Sequence, residues 1–278
     1  MTLTVAERAK VLVEALPYIR RFHGQIVVIK VGGNAIESAR DETLLDVVLL
    51  RYVGMHPVLV HGGGPEITAM SERLGMKAKF KNGLRVTDDK TMEVVKMVLT
   101  GKVSPDLVAA IHRLGGQAVG MSGEDGPTII AEPMDESMGF VGRVTQVNTE
   151  PITALLNRGY IPVIASIGLG YDGHAYNINA DTVAAEIAVA LGAAKVILLT
   201  DVAGVLGVDG GVVAVLSKDD ARQRIDKGEV TGGMIPKLEA CLRALERVPL
   251  AHIVDGRTKH ALLLELFTEA GIGTMVTP

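Results

Sequence analysis

The residues best able to do chemistry in this chain stand beside runs of glycine. IKVGGNA (29–35) ends an apolar run with Lys30, one residue before Gly32 and Gly33. A charged side chain in such a run is costly to bury unless it is paired or faces a site. Open α/β sheets bind ligands at the carboxyl ends of their strands, where Lys30 would meet an anion beside the unobstructed amides of Gly32 and Gly33. A lysine snorkelling from a sheet edge is the other reading. LVHGGGPE (59–66) repeats the geometry. Gly62, Gly63 and Gly64 open a turn and Pro65 suits the first helical position, so free N–H groups and the positive end of a helix dipole face one ligand region. His61 fits hydrogen bonding within that turn better than a role as a base. TGGMIPKLEA (231–240) opens a third helix on glycine and carries Lys237 in its first turns. A cation is mildly unfavourable there, and a bound anion would compensate.

The remaining polar groups need a ligand less strictly. NGLRVTD (82–88) sets Arg85 in a loop before an acid-capped helix, where its fork fits a carboxylate or a phosphate, or is simply solvated. In YNINADTVAAEI (176–187), Asn177, Asn179 and Asp181 alternate along one side of an extended segment. Asp181 or a neighbour can cap the following helix, which explains one of the three. The others fit ligand hydrogen bonds, or a carboxylate that holds nearby lysines in place. KVILLTDVAGV (195–205) ends a strand with Thr200 and Asp201, suited to a nucleotide, although Asp201 could merely form a turn. The pattern GxxxxGK[ST] is absent. GLGYDG (168–173) satisfies GxGxxG after a strand, but HAYNINAD delays the helix and no acid follows about 20 residues on. It reads as a turn.

Positioning these groups takes a layered scaffold. Apolar runs at 26–31, 57–60, 117–121, 161–167, 195–200 and 252–255 are continuous rather than alternating, which predicts a mainly parallel sheet covered on both faces. Helices are expected at 65–74, 89–100, 105–114, 151–158, 181–191, 232–247 and 258–268. The fold class is α/β, a three-layer αβα sandwich around a central, mainly parallel sheet. Residues 127–148 lack a helical period and suggest a hairpin at a lid or edge. Near the start, Val5, Leu12, Leu16 and Ile19 form one helical stripe and Val11, Ala15, Tyr18 and Phe22 another, with Pro17 expected to bend the helix. The surplus apolar face either meets another subunit or covers the sheet edge.

Composition narrows the function. With 278 residues, 48% of them hydrophobic, the chain can bury a sizeable core. A net charge of -4, no Trp and few aromatic residues disfavour nucleic acid as a partner. Cys241, the single cysteine, excludes an internal disulfide and a cysteine-based metal cage, and it sits on a helical pattern as a buried structural thiol. No 18-residue charge-free apolar run suggests a membrane span. Glu7, Arg8, Lys10 and Glu14 interrupt any signal-peptide core, so a cytoplasmic location is expected.

IKVGGNA, VHGGGPE, NGLRVTD, NINAD, LLTDVAGV and TGGMIPK, in this order and across nearly the whole chain, resemble the amino acid kinase family. NGLRVT followed much later by NINAD is similar to the branch acting on N-acetyl-L-glutamate rather than those acting on carbamate, uridylate or aspartate. The resemblance implies transfer of a phosphoryl group from ATP, with Mg2+, to the γ-carboxylate of N-acetyl-L-glutamate, the second step of arginine biosynthesis. A carboxylate is already ionised at pH 7 and needs no general base, which agrees with the missing catalytic His or Ser dyad. By resemblance, Lys30 and Lys237 stabilise the transition state and Asp181 orients both ammonium groups. Gly32, Gly33 and Gly62 serve the phosphoryl group, Gly63, Gly64, Arg85, Asn177 and Asn179 the acceptor substrate, and Thr200 and Asp201 the nucleotide. Mg2+ would be held mainly by ATP, with no protein metal site. Residues 24–175 would form a lobe for substrate binding and dimerisation, and 176–278 a lobe for ATP. A sibling kinase acting on an aminoadipate derivative in lysine biosynthesis is the nearest alternative. A non-catalytic arginine-sensing module is a further one, against which both lysines and Asp181 argue.

Residues 1–23 and the ending HALLLELFTEAGIGTMV resemble the arginine-inhibited branch, built as a hexamer, a trimer of dimers, in which the extra helix interlaces dimers. Tyr18, His252, Glu265 and Gly271 would then line a site for L-arginine. Alternatively, His252 opens a strand, Glu265 lies exposed on a helix and Gly271 caps it.

Overall fold

Each of the six apolar runs supplies a strand of one sheet, because side chains on both faces find helices to pack against, although the run 161–167 stops at Ala165 and Ile167 passes into a second sheet. The computed structural model describes residues 4–32, 34–81, 83–207, 210–268 and 271–278. The first half contains α1 (Val5–Phe22), β1 (Ile26–Val31), α2 (Asn34–Tyr52), β2 (His56–His61), α3 (Gly64–Arg73), β3 (Phe80–Lys81), β4 (Leu84–Arg85) and α4 (Asp89–Val98). A π-helical turn (Leu99–Val103), α5 (Ser104–Arg113), β5 (Ala118–Ser122), β6 (Ile129–Pro133), β7 (Gly142–Val147) and α6 (Glu150–Asn157) follow. Next come β8 (Ile161–Ala165), β9 (Ile167–Gly170), β10 (Ala175–Asn177), α7 (Ala180–Leu191), β11 (Lys195–Thr200) and β12 (Val215–Ser217). The chain closes with α8 (Lys218–Asp226), α9 (Met234–Ala244), β13 (Ala251–Asp255), α10 (Ala261–Leu266) and β14 (Thr274–Thr277).

The main sheet has the order β12-β14-β13-β11-β1-β2-β8-β5 and is parallel except where β14 runs against β13. Parity divides its side chains. Val27, Ile29 and Val31 of β1 pack with Val47 of α2 and Ile111 of α5, whereas Val28 packs with Val183 of α7 and Leu238 of α9. That is the expected three-layer α/β architecture. Strand β1 pairs with β2 on one side and β11 on the other, so the sheet is continuous between the two halves of the chain. Residues 127–148 do form a hairpin, β6 against β7, which joins β9 and β10 in a second sheet. GLGYDG is the turn between β9 and β10.

Some elements depart from expectation. Helix α2 was not foreseen, because its first half, NAIESARDE, carries no apolar period. Helix α8 buries only Ala221 and is started instead by Ser217, whose Oγ accepts from the Asp220 amide. The helix expected at 258–268 shortens to α10, because a turn after Asp255 leads into His260 in a left-handed conformation (φ 56°). Helix α1 runs unbroken through Pro17, and of its two stripes only Phe22 is buried. Val5, Leu12 and Leu16 are exposed, so this stripe is not covered within the chain. Among the described residues no helix is long and apolar enough to cross a membrane.

Candidate functional site

Strand parity sends Lys30 toward the α7 and α9 face, since it lies in register with Val60 and Leu198, which pack there. Its Nζ ends 2.9 Å from Asp181 Oδ1 on α7, and the other carboxylate oxygen accepts from Lys237 Nζ on α9 at 2.8 Å. Lys30 is 9% and Asp181 4% exposed, which rules out the snorkelling reading. Burial alone would raise the Asp181 carboxyl, but Lys30 and Lys237 outweigh it and hold the group below the ordinary carboxylate range. Burial draws the Lys30 ammonium down despite Asp181. Asp181 is free for this pairing because Asn179 does the capping: its Oδ1 accepts from the amides of Asp181 and Thr182.

A cavity of about 300 Å³ opens beside this triad. Gly62, Gly63 and Gly64 line it from the end of β2, Gly32 from the end of β1, and Arg85, Asn177 and Asn179 from the far side. Gly33 lies outside the described residues. A side chain at Gly32 would reach within 3.2 Å of the Lys30 ammonium, and one at Gly63 would press into Leu99 Cδ2 at 2.6 Å. His61 lies beneath the turn, fully buried, with Nδ1 3.0 Å from the Gly62 carbonyl. Burial pushes its imidazolium down to about 4, so the ring is neutral at pH 7 and serves the turn, as expected. Burial pushes the Cys241 thiol up, which leaves it an unreactive core residue.

Arg85 is largely buried without a carboxylate partner. Its Nη2 donates to the Gly64 carbonyl and Thr68 Oγ1, at 3.0 and 2.6 Å, and the guanidinium lies 4.8 Å from the Phe80 ring centroid. Nη1 is buried with no partner. Such an orphaned donor on a cavity wall calls for an anionic acceptor. Thr68 and Phe80 escaped the sequence reading because a threonine one turn into a helix and an exposed aromatic carry no spacing signal.

Thr200 and Asp201 do not line this cavity. Thr200 ends β11, adjacent to β1, and is buried, whereas Asp201 follows the strand and is exposed. No group of three or more His, Cys, Asp or Glu side chains that could hold a metal occurs among the described residues. Both oxygens of Asp181 face lysines, so a divalent ion brought with a polyphosphate would take its ligands from the phosphate oxygens.

A second cavity, about 1280 Å³, lies between α1 and the β13/β14 end of the sheet and brings together Tyr18, His252, Glu265 and Gly271. Glu265 is 5% exposed, against the reading of an exposed helical acid. Its Oε1 lies 2.6 Å from His252 Nδ1 and accepts from Lys195 Nζ at 3.1 Å, while Oε2 accepts from the Ile272 amide. Burial alone would raise Glu265, but His252 and Lys195 keep it below its usual range, so it is ionised. Gly271 (φ 57°) passes so near that a Cβ would lie 2.9 Å from Glu265 Oε2. Lys195 went unnoticed in the sequence because a lysine at the head of an apolar strand looks like a snorkelling one.

A profile of the amino acid kinase family matches residues 25–255. An acetylglutamate kinase of Thermoanaerobacter pseudethanolicus is 51% identical, with 97% of this chain and 93% of its own covered. That of Aquifex aeolicus is 50% identical, with 98% of each chain covered. Among solved structures, N-acetylglutamate synthase from Neisseria gonorrhoeae, complexed with coenzyme A and N-acetyl-glutamate, is similar at a TM-score of 0.86 and 26% identity. The match covers 97% of this chain and 63% of the synthase chain, so this chain spans less than two thirds of that protein.

Proposed function

The chain belongs to the amino acid kinase family, and from that premise we infer that it transfers the γ-phosphoryl group of ATP to the γ-carboxylate of N-acetyl-L-glutamate. The product is N-acetyl-L-glutamyl 5-phosphate, the second intermediate of arginine biosynthesis, and we place the enzyme in the cytoplasm. One observation carries the chemistry: a single buried carboxylate, Asp181, holds two ammonium groups beside a cavity roofed by bare glycine amides.

A carboxylate oxygen of the acceptor attacks the γ-phosphorus, the bond to the β-phosphate bridge oxygen breaks, and ADP leaves with that electron pair. No proton moves, so the protein supplies alignment and charge. Lys30 and Lys237 meet the charge spread over the transferring oxygens, and Asp181 keeps both in place without taking a proton. Amides of Gly32 and Gly62 address the phosphoryl group, and those of Gly63 and Gly64 the acceptor. The free Nη1 of Arg85 and the side chain of Asn177 receive the α-carboxylate and acetamido end, with Asn179 framing the wall. Thr200 and Asp201 contact the nucleotide in a lobe of residues 176–278, while residues 24–175 form the lobe for substrate binding and dimerisation. Mg2+ would be held mainly by ATP and would supply charge neutralisation on the phosphates. L-Arginine occupies the second cavity through Glu265, with Tyr18, His252 and Gly271, and inhibits a hexamer joined by α1.

Hydroxylamine trapping of the acyl phosphate, with ATP and a panel of N-acylated acidic amino acids, tests the reading. N-acetyl-L-glutamate is expected to give the highest kcat/KM. Preference for an aminoadipate derivative, or no turnover of any acceptor, would overturn it.

A further inference from the structure

We propose that Thr87 is a positioning residue that locks the side-chain amide of Asn177 and ties it to Arg85, so that the acceptor's acylated nitrogen meets an oxygen. This rests on the acceptor reading above. Thr87 is 0% exposed and follows Arg85 by two residues. Its hydroxyl proton is committed, because Oγ1 donates to the Arg85 carbonyl at 2.8 Å. The same oxygen can therefore only accept from Asn177, whose Nδ2 lies 3.1 Å away. The amide is thus oriented with its nitrogen against Thr87. Asn177 Oδ1 has no donor among the described residues, and Asn177 lines the cavity with Arg85. One buried hydroxyl decides what the cavity offers: an acceptor for a single N–H group, alongside the free guanidinium N–H that takes a carboxylate.

The backbone holds these partners in place independently of the hydroxyl. The Thr87 amide donates to the Met138 carbonyl, the Phe140 amide donates to the Thr87 carbonyl, and the Asn177 amide donates to the Phe140 carbonyl. Thr87 and Asn177 thus hang on one strand segment that leads into β7. Gly139 passes so close to Thr87 that no side chain fits there. Thr87→Val, nearly the same shape, keeps these anchors and removes only the hydroxyl.

The experiment measures steady-state kinetics for Thr87→Val and Thr87→Ser beside the wild type. Thr87→Val is expected to raise KM for N-acetyl-L-glutamate on the order of tenfold or more, with KM for ATP unchanged, because an amide free to turn presents the wrong atom. Thr87→Ser, which retains the hydroxyl, is expected to restore the wild-type value. An unchanged acceptor KM in Thr87→Val, or a rise for both substrates that serine does not rescue, overturns the proposal. If the wild type turns over no N-acetyl-L-glutamate, the acceptor reading fails and the proposal falls with it. A second measurement needs no variant. The wild type should use 2-acetoxyglutarate, whose ester oxygen replaces the amide N–H, on the order of tenfold less efficiently. Equal use of the two would overturn the proposal even if Thr87→Val does not fold.

Discussion

Burial draws the Lys30 ammonium below the ordinary lysine range; Asp181 pulls the other way, and the charge of Lys237 adds to the burial effect. Lys30 is useful only while protonated, so turnover should fall as pH rises through its folded value. That fall should begin below the ordinary lysine pKa of about 10.4. Asp181, held below the usual carboxylate range, stays ionised on the acid side and adds no limb near neutrality. A profile of kcat against pH tests this, and a plateau reaching the ordinary lysine value would contradict it. Lys237→Ala should cut kcat on the order of a hundredfold or more. Its fold, read by circular dichroism, should survive because Asp181 keeps Lys30 as a partner. Arg85→Lys should act mainly on the acceptor KM, since an ammonium cannot reproduce a fork already shared among Gly64, Thr68 and the cavity.

The π-helical turn packs so closely against the glycine turn after β2 that Gly63 has no room for a side chain. An added methyl at Gly63 would meet Leu99 Cδ2 at 2.6 Å and Val103 Cγ2 at 3.2 Å, and Leu99 is 1% exposed. Gly63→Ala should therefore destabilise the protein by about 1–3 kcal/mol and lower turnover by displacing amides. Adding Leu99→Ala should return part of the activity. A double-mutant cycle on Tm and kcat checks this, and additive losses would place the effect elsewhere. At this scale the sequence was legible where burial is two-sided. Six continuous apolar runs supplied six strands of the sheet, and Lys30 and Gly62–Gly64 fell at strand ends as read. It was less legible where an element rests on a cap, as α8 does, or begins in a stretch with no apolar period, as α2 does. Which of Asn179 and Asp181 capped α7 depended on where the two lysines arrived, which is set for Lys30 by the register of β1 against β2 and β11 and for Lys237 by the packing of α9 on α7. Thr87 carried no signal because one of its two hydroxyl partners, Asn177, is distant in the chain.

The whole molecule leaves one helix unmatched. Thr4 and Glu7 close a capping box at the start of α1, so the helix is well begun, yet Val5 is 86% and Leu12 74% exposed. Apolar residues bared along several turns seek a partner surface. The second cavity lies where α1 meets the body, so a chain docked on α1 would also fix Tyr18 relative to Glu265. If L-arginine inhibits through that cavity and α1 joins subunits, as proposed above, assembly and inhibition should weaken together. Leu12→Glu with Leu16→Glu puts charges on the bare stripe while leaving Phe22 packed in the core. In light scattering this variant should drop to a smaller mass, and in the kinase assay its arginine response should weaken, with uninhibited kcat preserved. Glu265→Gln is the complementary case: it leaves α1 untouched, so the mass should stay and only the response to arginine should fall. An unchanged mass in the first variant would remove α1 from assembly. Full arginine inhibition in the second would remove Glu265 from the effector site, leaving the buried Lys195–Glu265–His252 cluster a structural role alone.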